Sequence, residues 1–202
     1  MIEPVVLLTY VPAALALNLT PGADMMFCLG QGLRGGPRAA MAANLGIALG
    51  GMVHVVVAGL GLEALVAAHP ALFDAIRWLG VAYLLWLAWK SLRAAGLPEV
   101  PPVAPRRAFR EGLTVNLTNP KVILFVLAFI PQFLDPAAAV LPQFLLLGAI
   151  LSLGGLLVNG AVGLAAGGMA GRLMRSARFA TVLGRVSAVI FAGLATRLAF
   201  LK

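Results

Sequence analysis

The sequence predicts an all-α integral membrane protein, with six transmembrane helices forming two inverted three-helix repeats and with helices one and four broken. Three observations predict it. Hydrophobic residues make up 61% of the 202 and charged residues 11%, with a mean hydropathy of +1.00, whereas a soluble domain carries roughly 25% charged residues. Six apolar windows are each long enough to cross a bilayer. A polar break, Asn-Leu-Thr followed by proline, recurs in the first and fourth windows. Fifteen Lys/Arg and seven Asp/Glu cannot cover a water-soluble globule of this size, so an ordinary soluble enzyme and a disordered tail are excluded. The single cysteine, Cys28, cannot close an internal disulfide and leaves the redox compartment unread.

A helix needs about 20 apolar residues to span the hydrocarbon core. The first window runs from Tyr10 to Leu33, the second from Ala39 to Ala68, and the third from Ala71 to Leu92. The fourth runs from Gly112 to Leu134, the fifth from Val140 to Gly168, and the sixth from Phe179 to Leu201. Arg185 and Arg197 interrupt the sixth near its ends, where long side chains snorkel to the interface. Met1-Ile-Glu-Pro lacks a basic leader and the first apolar stretch is long, so no cleavable signal peptide is expected.

Lys/Arg between spans set orientation. Arg34 and Arg38 follow span one, Lys90, Arg93, Arg106, Arg107 and Arg110 follow span three, and Arg172, Arg175 and Arg178 follow span five, ten in all. The opposite side has three: Arg77, Arg197 and Lys202. Odd-numbered loops are therefore expected in the cytoplasm and both termini in the periplasm of a cell with an inner membrane. Trp86 and Trp89 beside Lys90 fit an interfacial aromatic belt, with simple packing as the alternative. The net charge of +8 comes from cations scattered between apolar runs, so no nucleic-acid partner is expected; lipid is.

The segment Ala94–Phe109 contains Pro98, Pro101, Pro102 and Pro105. It reads as an extended cytoplasmic linker, 94–109, between a first repeat, 1–93, and a second, 110–202. Across it, Asn18-Leu-Thr-Pro through Phe27 precedes Asn116-Leu-Thr-Asn-Pro through Phe125 by 98 residues, with four of ten positions identical. Three spans per half is an odd number, so the second half must enter the membrane in the opposite sense. Inverted repeats of this kind are a common transporter architecture.

Proline inside a membrane helix lacks an N–H and frees a carbonyl. Thr20-Pro21-Gly22 and Asn119-Pro120 each read as a helix restart, with Thr20 and Asn119 as N-caps and proline after them. Restarted helices present free N–H groups and about half a positive charge. Two such ends meeting from opposite faces suit a carboxylate. The alternative is a pair of proline kinks relieved by neighbouring side chains. Asp24 lies one turn beyond Pro21, and Lys121 follows Pro120. A charge at the bilayer centre costs at least ~2.5–3.5 kcal/mol, so both should face protein or water. Lys121 would contact a substrate carboxylate and Asp24 an ammonium or a proton; alternatively the two neutralise each other. The candidate substrate-binding set is therefore Asn18, Thr20, Pro21, Gly22, Asp24, Asn116, Asn119, Pro120 and Lys121.

Proton-coupling candidates are Asp24, His54 in the middle of span two, and Glu63 nearer its outer end, where a simple interfacial location is the favoured alternative. Imidazole titrates near neutrality, although a membrane histidine equally serves as a helix–helix hydrogen-bond partner. Asn44 and Asn159 read as interhelical hydrogen-bonding residues, with lining of the site as the lesser alternative. Gly46-x-x-x-Gly50 and Gly163-x-x-x-Gly167 let helices approach closely, within one subunit or between two copies of a homodimer. No Walker A motif, HExxH, Cys/His cluster or GxSxG elbow is present, so neither catalysis nor a metal or other cofactor is expected.

At these residues the chain resembles the LysE/RhtB family of bacterial amino-acid exporters. The likeness rests on Asn18-Leu-Thr-Pro-Gly-Ala-Asp24, Gly32-Leu-Arg-Gly-Gly36, His54, Tyr83-Leu-Leu-Trp-Leu87, Asn116-Leu-Thr-Asn-Pro-Lys121 and Pro131-Gln-Phe133, and it covers nearly the whole length. Ala23 departs from it, since many members have a second proline there. The resemblance implies a secondary transporter that exports amino acids or their derivatives across the bacterial inner membrane on the proton-motive force. Export of a cation or other small solute, and a non-transporting membrane scaffold, are the competing readings.

Overall fold

The computed structural model describes residues 2–68, 70–93, 103–135, 137–166 and 176–200; the side chains of 62–73, 177, 179, 180 and 183 lie outside the description. Every regular element among these residues is helical. Helix α1 spans Pro4–Leu19, α2 Ala23–Ala68, α3 Pro70–Leu92, α4 Pro105–Leu117 and α5 Pro120–Leu124. A wide π turn, Phe125–Phe129, and a tight 3₁₀ turn, Ile130–Phe133, continue α5. Helix α6 spans Val140–Ala165 and α7 Ala177–Phe200.

The chain is interrupted where its backbone chemistry requires. Helix α1 ends at Leu19 and α2 starts at Ala23, leaving Thr20-Pro21-Gly22 between them. Within α2 the chain turns sharply at Gly36, whose φ of 74° is open to a residue without a Cβ, and Pro37 starts the next helical run. The window expected as the first span, Tyr10–Leu33, thus falls on α1 and the helical run after Gly22, and the window expected as the second falls on the run after Pro37. The break at Thr118-Asn119 bends α4 against the 120–133 run by 48°. Helix α4 begins at Pro105, inside the segment read as an extended loop. Proline fits the first helical turn, and α4 keeps Ala108, Gly112 and Asn116 buried while Arg106 and Arg107 are exposed. The rest of that loop, 94–102, and the cations Arg172 and Arg175 lie outside the described residues.

Among the described residues two helical stretches are long and apolar enough to cross a bilayer, Ala23–Gly61 and Val140–Ala165, and the bent pair formed by α4 and the 120–133 run makes a third. Helices α3 and α7 have 23 and 24 residues. Leu146, Leu153, Leu157 and Leu164 form an exposed apolar stripe along α6, and Leu45, Leu49, Val53, Val56, Val57 and Leu60 do so along α2. Water would penalise such faces and hydrocarbon would not.

Helix α2 packs on α4 and α6, α1 packs on α6, and α3 packs on α7. Small residues bring backbones together. A Cβ at Gly46 would overlap the carbonyl of Phe109, and one at Gly112 would overlap that of Ala43. Gly112→Val should therefore push α4 off α2. Overpacking of a close contact costs about 1–3 kcal/mol or more, which a drop in melting temperature in detergent would register; an unchanged melting temperature would contradict this packing. A larger aromatic core gathers Tyr10, Phe125, Phe129, Phe133, Phe144 and Phe191. There the Tyr10 hydroxyl donates to the Leu147 carbonyl at 2.9 Å, and the Tyr10 and Phe133 rings meet edge-on.

Candidate functional site

Both helix breaks open onto one cavity. Thr20 and Asp24 flank the first break, and Asn116, Lys121 and Val122 flank the second. The opposite wall comes from Ile47, Ala48 and Gly51 of α2 and from Leu151, Ser152, Gly155, Leu156 and Asn159 of α6. Its volume of about 40 Å³ holds a few water molecules. A larger solute requires the walls to part.

At the first break, Thr20 ends α1 and does not start α2. Its hydroxyl donates back to the Ala16 carbonyl at 2.8 Å, and its backbone is extended. A threonine between two helices can cap either, and here the i−4 carbonyl of α1 takes the hydroxyl. Gly22 starts α2 instead, its carbonyl accepting from the Met26 N–H at 3.0 Å. At the second break Asn119 caps as expected: its side-chain oxygen accepts from the Lys121 N–H at 3.1 Å, and Pro120 follows at the first helical position.

The charged pair stands across this cavity. Lys121 is half-buried. Its ammonium donates to the carbonyls of Leu17 at 3.1 Å and Thr20 at 3.0 Å. These are C-terminal carbonyls of α1, where the helix dipole favours a cation. The ammonium also covers Gly22, where a Cβ would lie 3.1 Å from Nζ. Asp24 is buried, and its Oδ2 accepts from the Asn116 side-chain amide at 2.9 Å. Its Oδ1 is buried with no hydrogen-bond partner. Among the described residues Asp24 and Lys121 form no direct ion pair; each is held by neutral groups of the other half.

His54 reaches the same network from α2, its Nε2 lying 3.2 Å from the main-chain oxygen of Asn116. Asn18 donates to the Leu151 carbonyl at 3.0 Å and Asn44 to that of Leu156 at 2.7 Å, so both tie to α6. The structure thus brings Asn18, Thr20, Asp24, Asn116 and Lys121 to the cavity, with Pro21, Gly22, Asn119 and Pro120 forming the breaks and His54 one hydrogen bond behind. The side chain of Glu63 lies outside the description.

Sequence reasoning missed the wall opposite the charges. Ser152 has a buried hydroxyl without a partner, and Gly51 faces it. A lone serine in an apolar span carries no signal of its own. The glycine doublets Gly50-Gly51 and Gly154-Gly155 did carry one: a Cβ at Gly50 would lie 2.8 Å from Asn116 Oδ1, and one at Gly154 would lie 2.6 Å from Asn18 Nδ2.

A family profile described as LysE type translocator matches residues 15–202. An uncharacterized membrane protein of Vibrio cholerae is 33% identical over 200 residues, covering 96% of this chain and 97% of that one. A leucine efflux protein of Enterobacter is 31% identical over 200 residues, covering 96% and 94%. A homoserine/homoserine lactone efflux protein of Salmonella typhimurium is 36% identical over 143 residues, 69% of each chain. No solved structure matches. Two charged side chains and two helix breaks around an apolar-walled cavity suit the handling of a small solute within a membrane, and the profile spans nearly all of them: the chain belongs to the LysE type translocator family of membrane transporters.

Proposed function

We propose that this protein exports amino acids or close derivatives across the bacterial inner membrane, driven by protons. The observation that carries the reading is the shared cavity with Asp24 on one side and Lys121 on the other. An amino acid at neutral pH is a zwitterion. Lys121 keeps one N–H for a carboxylate after bonding Leu17 and Thr20, and the restarted helices after Gly22 and Asn119 add N–H groups nearby. Asp24 Oδ1 receives the ammonium or exchanges a proton, with His54 assisting. Relatives named for leucine and for homoserine efflux support this substrate class.

The working architecture is six spans in two inverted halves, residues 1–93 and 110–202, joined by the cytoplasmic segment 94–109, whose last residues from Pro105 open α4. The packing supports it. Exchanging the halves turns the α1–α6 contact into α4–α2 and returns α3–α7 to itself, and both contacts are present. Contacts near the ends of the helices support the orientation. The Val103 N–H donates to the Gln31 side chain, and Gly184 packs on the Ser91 carbonyl, so the connections after spans one, three and five share one end. Their Lys/Arg make that end cytoplasmic and leave both termini periplasmic. Lys90 lies over the Trp86 ring and Arg93 over that of Trp89, as expected at a lipid headgroup boundary.

Counterflow decides the matter. Reconstituted protein preloaded with unlabelled leucine or homoserine should accumulate the labelled solute, and an imposed pH gradient should raise net flux. Flux of neither these nor any other amino acid would leave a cation, another solute or a scaffold role in its place.

A further inference from the structure

The two halves use the same parts differently at one point. In the first half, the Asn18 amide donates to the carbonyl of Leu151 on α6 at 3.0 Å. That carbonyl is uncovered because Gly154 and Gly155, three and four residues on, carry no side chains; a Cβ there would lie 2.6 and 3.2 Å from the Asn18 amide. The second half repeats this equipment. Asn116, 98 residues after Asn18, lies against Gly50-Gly51 on α2. Three residues before Gly50 is Ile47, buried and lining the cavity. Yet the Asn116 amide does not take the Ile47 position that Asn18 takes at Leu151. Its N–H₂ points to Asp24 Oδ2 at 2.9 Å, and its own Oδ1 stays buried against Gly50 without a partner.

We propose that Asn116 couples proton binding at Asp24 to the alternation of the two halves, its amide passing between the Asp24 carboxylate and the main-chain carbonyl of Ile47. This rests on the export reading above. A carboxylate holds an N–H more strongly than a neutral carboxyl does. A proton taken up on the free Oδ1 of Asp24 therefore loosens Asn116. The amide then turns over the Gly50-Gly51 surface to the Ile47 carbonyl, copying what Asn18 now does at Leu151. When the halves have exchanged, the proton leaves to the other side and the amide returns to Asp24.

The coupling acts on one side only. The residue that corresponds to Asp24 in the second half is Val122, so Asn18 has no carboxylate to turn to. The titratable groups facing Asp24 are Lys121 after the second break, His54 on α2 through the Asn116 main chain, and Cys28 on its own helix. The described cavity residues of α1 and α6 add none.

Asn116 is thus a positioning residue, and its test separates coupling from binding. Full-length protein in liposomes is assayed with labelled leucine and homoserine, by counterflow at equal pH and by net flux under a pH gradient. In Asn116→Ala, and in Asn116→Ser as a milder second variant, the ratio of gradient-driven flux to counterflow should fall about tenfold or more, the equivalent of one charge-assisted hydrogen bond, whatever counterflow each variant retains. The pH profile of counterflow should flatten in both. Asn18→Ala should lower both activities by the same factor. Equal loss of both activities in the Asn116 variants, or gradient stimulation left intact, overturns the proposal. Wild-type flux that ignores the pH gradient overturns it and leaves amino-acid export standing; no wild-type flux overturns both.

Discussion

Exchange of Lys121 for alanine is expected to cut export by about 10- to 100-fold, the range for losing a hydrogen-bonded charge. Two effects combine. The carboxylate of the solute loses the cation proposed to hold it, and the Leu17 and Thr20 carbonyls at the end of α1 lose their donor. Lys121→Arg should not restore the rate. The ammonium sits directly over Gly22, and a planar guanidinium with its fixed fork does not fit a point contact between two carbonyls. Efflux from preloaded vesicles or cells, normalised to inserted protein, measures both variants. Wild-type rates in Lys121→Ala would remove the charged residue from the mechanism.

Asp24→Asn is expected to lose gradient-driven export by about tenfold or more while inserting normally. Asparagine has the same shape, and its side-chain oxygen still accepts from the Asn116 amide, so the break between α1 and α2 is preserved. What disappears is the only described carboxylate lining the cavity, and with it the site proposed to take up and give back a proton. The residual flux should no longer respond to an imposed pH gradient. A variant that exports at the wild-type rate with an intact pH response would place the coupling group elsewhere.

The sequence marked the places where helices must stop, because proline and its flanking Asn and Thr leave a local chemical signature. Pro21 and Pro120 both fall at real breaks, and Asp24 and Lys121 do share a cavity. The side of each break on which a polar residue acts was not legible. Thr20 satisfies the helix before it and Asn119 the helix after it, although both read as N-caps. Long-range pairings were also hidden: nothing local says that Asn116 spans 92 residues to reach Asp24, or that Lys121 spans 104 to reach the Leu17 carbonyl. The start of α4 at Pro105 was concealed by a proline-rich stretch whose last proline opens a helix. Ser152 and Ile47 were invisible because an ordinary residue in an apolar span becomes a wall of the site only when a neighbouring helix is placed beside it.

The wide turn at Phe125–Phe129 and the tight turn at Ile130–Phe133 lie end to end between Lys121 and the Tyr10–Phe133 ring contact. One is over-spaced and the other compressed, so the segment works as a slip joint. If residue turns are traded between the two forms, the lysine end can advance or retreat while Phe133 stays fixed in its aromatic seat. The charged end of the second half can therefore change its reach by re-pitching a few residues, with Phe125 and Phe129 re-seated in the aromatic core as it does.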